Sequence, residues 1–219
     1  MSDKLPVSCG VPQGSILGPL LFLLYINDIV NVSKKLFLVL FADDSNAFLS
    51  GRDIDRVINL VNEALEELVT WLHTNMLTLH IKKTHFIIFS SANKTIHTNN
   101  QVLINGQSMW FLGVLLDEKL NFKEHISHIR KKIAKGIYVL GIAKRFFDEI
   151  SMKDLYYAFI HPYFSYCLDV WGSTYSTHLD PLVKLQKRAV RIVVGAPYKA
   201  HTLDIFRRLN IVQLDFKKL

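Results

Sequence analysis

The sequence predicts an α+β fold, a short antiparallel sheet with helices over residues 1–117 followed by an all-helical region over 118–219. Three observations carry that expectation. Short apolar runs flank a turn at Ala42 to Asn46, apolar residues recur at helical spacing over 53–76, and from Phe122 onward the pattern is helical throughout. With 219 residues, half of them apolar, the chain can bury a substantial core in one or two domains.

Gly14 to Val30 is expected to be a helix reached through Pro12-Gln13-Gly14, with Ser15 available to cap its first turn. Leu36 to Phe41 is a continuous apolar run, as expected of a central strand buried on both faces, and Ala47-Phe48-Leu49 supplies its partner. Ile54, Val57, Ile58, Val61, Leu65, Leu68 and Leu72 then mark an amphipathic helix over 53–76, with Ser50 or Asp53 at its cap. His85 to Ser90 predicts a strand, and Gln101 to Leu116 a hairpin turning at Asn105-Gly106. Beyond it, Ile126, Ile129, Ile133, Ile137, Leu140 and Ile142 predict one apolar helix face, with Arg130, Lys131, Lys132, Lys135, Lys144 and Arg145 on the remainder. Further helices are expected at 151–161, 163–171, 179–194 and 201–209, broken by Pro162, Gly172 and Gly195-Ala196-Pro197.

The chemistry concentrates at Phe41-Ala42-Asp43-Asp44. Two carboxylates held close at a hairpin tip repel one another, and a fold keeps them aimed at one spot mainly when a divalent cation neutralises them. A two-metal nucleotidyl-transfer site needs that arrangement. The everyday alternative is an Asp pair that simply sits in water, since Asp favours turns. Here the loop contains neither Gly nor Pro, so the acids occupy a short, stiff connection, and Gly10-Val11-Pro12-Gln13-Gly14 lies one helix upstream.

Charge is unevenly distributed. The net charge is +7, yet residues 1–110 carry 8 Lys and Arg against 9 Asp and Glu, and residues 111–219 carry 18 against 10. A polyanion would therefore be held mainly by the second half, through salt-sensitive contacts; a merely solvated surface is the alternative. The longest apolar run, Leu20 to Ile26, is far shorter than the ~20 residues that cross a bilayer, so no membrane partner is expected. Asp3 and Lys4 precede Pro6 rather than an apolar core, unlike a secretory signal. Cys9 and Cys167 fit a reducing, intracellular compartment better than a disulfide framework. The histidines lack zinc-ligand spacing, His125 and His128 being the one pair at i, i+3.

Several motifs in a fixed order resemble the reverse transcriptases of LINE-type, non-LTR retrotransposons, jockey-like elements in particular. Gly10-Val11-Pro12-Gln13-Gly14-Ser15-Ile16-Leu17-Gly18-Pro19-Leu20-Leu21-Phe22 is similar to the template-side motif. Phe41-Ala42-Asp43-Asp44 is similar to the metal-binding hairpin, with Phe where Tyr is commoner, and Leu112-Gly113-Val114-Leu115-Leu116-Asp117 to the primer-grip hairpin. Leu155-Tyr156-Tyr157, His161-Pro162-Tyr163, Leu185 to Arg191 and Ala196-Pro197-Tyr198 extend the likeness along the chain.

The resemblance implies a palm in 1–117 and a duplex-holding, thumb-like region in 118–219, acting on an RNA template, a DNA primer and deoxynucleotides with Mg²⁺. It implies Asp43 and Asp44 as metal ligands, Gln13 and Gly14 beside the template and incoming nucleotide, and Phe111, Leu112 and Gly113 as primer grip. It aligns Lys83 with a lysine that protonates the leaving pyrophosphate, although His80 stands where the family usually has Asn; a solvated lysine pair, Lys82 and Lys83, is the alternative. Arg130, Lys131, Lys132 and Lys135 are expected along the nucleic-acid backbone. The family also carries, upstream of the Gln-Gly turn, a strand with a third metal-binding Asp and a set of fingers. Without them the chain is expected to be inactive alone, with the Gly18 to Ile29 helix and the 37–41 strand short of cover. The second reading is a non-catalytic nucleic-acid-binding remnant; a nucleotide cyclase lacks support, since no Gly-Gly-Asp-Glu-Phe signature occurs. The resemblance to target-primed elements implies action in the nucleus.

Overall fold

A computed structural model describes residues 10–12, 14–91, 96, 98, 102 and 109–214. The chain divides into two compact units, Met1–Phe86 with Asn93–Gly106 and Ile87–Ala92 with Gln107–Leu219. In the first, α1 (Leu17–Ile26) passes through a 3-10 helix (Asn27–Asn31) to β1 (Phe37–Phe41), β2 (Asp44–Phe48) and α2 (Ile54–Thr74). The first helix begins later than Gly14 because that residue sits at φ +86 and the next residues form a turn, the Ser15 amide donating to the Pro12 carbonyl at 3.0 Å.

No face of α1 is polar, and such a helix is built to be covered all round. Ile26 is buried, but Leu20 and Leu24 remain 55% and 69% exposed. By contrast α2 is amphipathic, with Ile58 and Ala64 turned inward and Asp53 capping its start by accepting the Asp55 amide at 3.1 Å. The Tyr25 hydroxyl donates to the Asn75 carbonyl and ties α1 to the end of α2. Lys35 reaches Glu63 and Glu67, one turn apart on α2, at 2.9 and 3.0 Å, and these contacts raise its pKa, the Glu63 hydrogen bond foremost. Being exposed, the cluster adds little to stability.

Two sheet expectations are corrected. The run at 37–41 is not a central strand buried on both faces: its sheet has only β1 and β2 among the described residues, and Phe37, Val39 and Phe41 are exposed. Residues 85–90 do not form a strand; only Phe86 makes a bridge, and the Ser90 amide donates to the Glu118 carbonyl at 3.3 Å. The turn expected at Asn105-Gly106 lies outside the described residues. The described hairpin turns instead at Leu112-Gly113, between β3 (Met109–Phe111) and β4 (Val114–Leu116).

The second unit joins that hairpin to α3 (Lys123–Ala143), α4 (Glu149–Phe159), α5 (His161–Ser165), α6 (Leu168–Trp171), α7 (Ser176–Val193) and α8 (Leu203–Leu209). Its core sets Ile129, Ile133, Ile137 and Leu140 of α3 against Leu182, Ala189 and Val190 of α7, with Tyr156, Phe164 and Trp171 filling the remainder. Helices α3 and α7 run parallel. The Thr174 hydroxyl donates to the Asn121 carbonyl at 2.6 Å beside both N-termini, and at the other end the Lys144 side chain lies against Gly195. Ile142 is corrected from the buried face to the outside, at 48% exposure. The helix expected at 163–171 is split, because Tyr166 is extended (ψ 119) and Cys167 left-handed (φ 51).

Three polar contacts hold this unit in register. The buried Gln186 amide donates to the Val212 carbonyl and accepts from the Leu214 amide, both at 2.9 Å, clamping the strand of chain that follows α8. It also meets the Tyr156 hydroxyl at 3.1 Å, whose pKa burial pushes up to about 12. At the junction of β4 and α3, the Asp117 carboxylate accepts the amides of Lys119, Asn121 and Phe122 at 3.2, 3.1 and 2.7 Å. These bonds hold a connection in which Leu120 and Phe122 are both left-handed. One turn into α3, buried His125 accepts the Leu115 amide at Nδ1 (3.2 Å) and packs its ring 5.9 Å from that of Trp171.

Gly136 lets the end of α4 press onto α3, since a Cβ there would stand 2.9 Å from the Phe159 carbonyl oxygen. Gly136→Ala is therefore expected to lower stability by about 1–3 kcal/mol in urea denaturation followed by circular dichroism; an unchanged midpoint would mean that α4 can shift without cost. Burial, and secondarily the nearby His128, lowers the His125 pKa, and an acceptor at Nδ1 requires the neutral ring. The folded state thus resists a proton that the unfolded chain takes up near pH 6.5. This contribution is complete above that pH and is lost as pH falls from there toward the folded-state pKa. Thermal melts of the chain should show the midpoint dropping below about pH 6.5, and His125→Gln, which cannot titrate, should flatten that drop.

Candidate active-site hairpin and nucleic-acid interface

In the first unit β1 and β2 pair in antiparallel register from Phe37 with Phe48 to Phe41 with Asp44. The turn therefore holds only Ala42 and Asp43, tighter than the Ala42 to Asn46 loop expected, and Asp44 already belongs to a strand. Directly opposed residues share a face, so Asp44 lies on the side of Phe41, Val39, Phe37, Asn46 and Phe48. Both carboxylates are exposed, and neither takes part in a hydrogen bond or ion pair among the described residues. Ala42 closes the turn at φ 51, a left-handed conformation that costs an L-residue with a Cβ about 1–2 kcal/mol. Backbone strain of this kind clusters at functional sites.

Gly14 is exposed at φ +86, and nothing stands within 4 Å of where its Cβ would be, so a ligand can approach the backbone there. Gln13 lies outside the described residues. Lys83 is exposed in a turn, its amide donating to the His80 carbonyl at 2.8 Å, and no described contact joins it to Asp43 or Asp44. Among the described residues no group of three or more His, Cys, Asp or Glu could hold a metal ion.

The second unit carries the β3–β4 hairpin and the basic helix. Leu112 and Gly113 both have positive φ, 44 and 82, the conformation of a tight two-residue hairpin turn. Tyr166 fixes that turn by donating its hydroxyl to the Leu112 carbonyl, and its ring would lie 3.3 Å from a Cβ on Gly113. Phe111 and Leu112 are half-buried. Tyr166 carried no signal in the sequence because its partner is a backbone carbonyl 54 residues away.

Arg130, Lys131, Lys132 and Lys135 are all exposed, but the helix does not gather them on one line. Lys131 and Lys135 share the outward ridge one turn apart, whereas Arg130 and Lys132, two residues apart, stand about 200° from one another around the axis. A single rod-like partner meets the ridge pair and one flank at a time. The basic residues of Leu185 to Arg191 divide similarly. Arg191 is committed within the unit, donating from Nε to the Ala200 carbonyl at 2.9 Å with its guanidinium 6.0 Å from the Tyr198 ring, while Arg188 stays exposed. No helix of the described residues is long and apolar enough to cross a membrane.

Comparison with known proteins places the chain in a family. The family model described as reverse transcriptase (RNA-dependent DNA polymerase) matches residues 2–116. The RNA-directed DNA polymerase from mobile element jockey of Drosophila melanogaster is 28% identical over 97% of this chain and 25% of its own length. The probable RNA-directed DNA polymerase from transposon X-element of the same species is 25% identical over 96% of the chain and 24% of its own. A retrovirus-related Pol polyprotein from a type-1 retrotransposable element R1 of Nasonia vitripennis is 24% identical over 74% of the chain and 43% of its own. The chain spans about a quarter of the length of the first two. No solved structure matches it significantly. With the family model covering more than half of the chain, and with the Asp43-Asp44 hairpin inside the matched segment, the chain belongs to the reverse transcriptase family.

Proposed function

We infer that the chain is a portion of an RNA-directed DNA polymerase of a non-LTR retrotransposon, adding deoxynucleotides to a DNA primer on an RNA template. The observation that carries this is the two-residue turn that puts Asp43 and Asp44 side by side, exposed and uncommitted, inside the segment matched by the family model. Residues 1–117 supply the palm share, with Phe111, Leu112 and Gly113 as its primer grip, and 118–219 the thumb share.

Hard carboxylate oxygens without thiolate or imidazole suit Mg²⁺, which keeps several waters and completes its shell with substrate phosphates. Asp43 and Asp44 would hold it, and when bound it neutralises charge on the phosphoryl oxygens of an in-line displacement. Gly14 leaves room for a base pair, and Gln13 offers an amide that both donates and accepts. Lys83 donates a proton to the departing pyrophosphate. Two carboxylates hold Mg²⁺ weakly, so the chain on its own is expected not to polymerise. The second reading, nucleic-acid binding without catalysis, is favoured by the concentration of basic residues in the second half.

Mn²⁺, a paramagnetic substitute for Mg²⁺, should broaden the amide resonances of residues 41–46 in nitrogen-15 NMR spectra of the chain, and Asp43→Asn with Asp44→Asn should abolish the effect. Resonances untouched by millimolar Mn²⁺ would remove the metal assignment and leave the binding-only reading. Primer extension by the isolated chain, lost in the two Asn variants, would instead overturn its expected inactivity.

A further inference from the structure

The outward ridge of α3 continues past the lysines. Lys131, Lys135, Tyr138 and Ile142 follow at i, i+4, i+7 and i+11, one line along the helix. Phe146 follows in the turn just beyond the helix end, its amide donating to the Ala143 carbonyl at 2.9 Å. Tyr138 is 71% and Phe146 77% exposed, with Phe147 also exposed beside it. The buried side of the same helix is already filled by His125, Ile126, Ile129, Ile133, Ile137, Leu140 and Ala143, so these rings are not misplaced core.

From Lys131 onward the ridge on α3 carries only basic charge, the exposed Glu124 lying on the same line two turns before it. Arg145 is exposed beside Phe146, whereas the nearby acids are engaged elsewhere: Asp148 caps α4 by accepting the Ser151 amide at 3.0 Å, and Glu149 pairs with Arg208. Lys144 is set aside as well, since it lies over the end of α7 against Gly195. A ridge of cations followed by open ring faces complements a strand that offers phosphates and unstacked bases. Lys131 and Lys135 stand about 6 Å apart along the axis, and the line from Lys131 to Ile142 runs about 16 Å.

We propose that this ridge is a stacking platform for single-stranded nucleic acid, with Lys131 and Lys135 on the phosphates and Tyr138 and Phe146 on the bases. It rests on the reading that the chain handles nucleic acid, and it adds to duplex holding a separate hold on unpaired nucleotides. Duplex bases are stacked on each other and offer no face to Tyr138 or Phe146, so the two lysines serve both forms while the rings serve only the single strand.

The test is fluorescence anisotropy of the full chain with a short unstructured oligonucleotide and with a blunt RNA–DNA duplex. Tyr138→Ala with Phe146→Ala should weaken single-strand binding about tenfold or more while changing duplex binding less than about twofold, and Tyr138→Phe should behave as the parent. Lys131→Ala with Lys135→Ala should weaken both and reduce the duplex salt slope by about 1.8. Circular dichroism confirms that these surface variants fold. If the ring variants bind the single strand as the parent does while duplex binding persists, the platform is wrong and the polymerase reading stands. If the ring variants instead abolish self-association or capture of another protein with single-strand affinity unchanged, the ridge is a protein-docking surface. If the parent binds neither nucleic acid, both readings fail.

Discussion

A neutral imidazole and the ring of contacts that closes through it hold the second unit together. His125 accepts the Leu115 amide from the hairpin and packs on Trp171. The Trp171 indole donates to the Tyr166 carbonyl at 2.9 Å, and the Tyr166 hydroxyl returns to the hairpin at the Leu112 carbonyl. The circuit therefore runs from β4 through α3 and α6 to the residue between α5 and α6, and back to the turn between β3 and β4. Each member fixes the next. A buried acceptor opposite an amide cannot be lost without leaving that amide unsatisfied, a cost of about 1–3 kcal/mol, and a charged ring in the same place would set donor against donor. Asp117 adds a second fixed point by gathering three amides at the start of α3. The position of Phe111, Leu112 and Gly113 relative to the helices is set by these contacts rather than by the short strands, which are three residues each.

How much of this was legible in the sequence depends on whether the signal was local. The α2 stripe and the α3 stripe repeat over many turns, and both helices lie where periodicity puts them. A turn after Phe41 was legible because its apolar flanks and its charged tip contrast over a few residues, but its two-residue length was not, since the partner strand begins at the polar Asp44 rather than at Ala47. The run at 85–90 forms no strand because an apolar stretch signals burial without specifying a strand partner, and the described residues provide one only at Phe86. Tyr166 and Cys167 broke a helix that composition alone would continue; the reason is tertiary, since Tyr166 must reach the Leu112 carbonyl. Ile142 recurs with the apolar face of α3 in the sequence, whereas the surface ridge that includes it and Tyr138 shows only in three dimensions. The roles of Asp117 and Gln186 were invisible for the same reason, because both act on backbone groups whose positions the sequence does not encode locally.

The two units differ in how far they satisfy themselves. The second buries a continuous core from α3 through the segment after α8 and satisfies its inner amide Gln186 completely enough to order residues 212–214. The first buries little: Ile26, Ile29, Ile58 and Ala64 are its buried apolar residues among those described, while α1 presents leucines to solvent on several sides. Contiguous exposed apolar surface of that kind marks a contact face.

The contrast bears directly on the chemistry. Asp44 lies on the same sheet face as Phe37, Val39 and Phe41, which are exposed, so the surface that would aim its carboxylate is the surface that lacks packing. A catalytic carboxylate has to be held within about half an ångström of its working position by neighbours that are themselves locked. The backbone supplies part of that constraint through the two-residue turn and the left-handed Ala42, which fix where the Asp43 side chain leaves the chain. The side chain of Asp44 has no comparable support from its sheet. Hairpin geometry alone can thus bring two carboxylates together, yet their separation and orientation are left to the exposed aromatic face beside them.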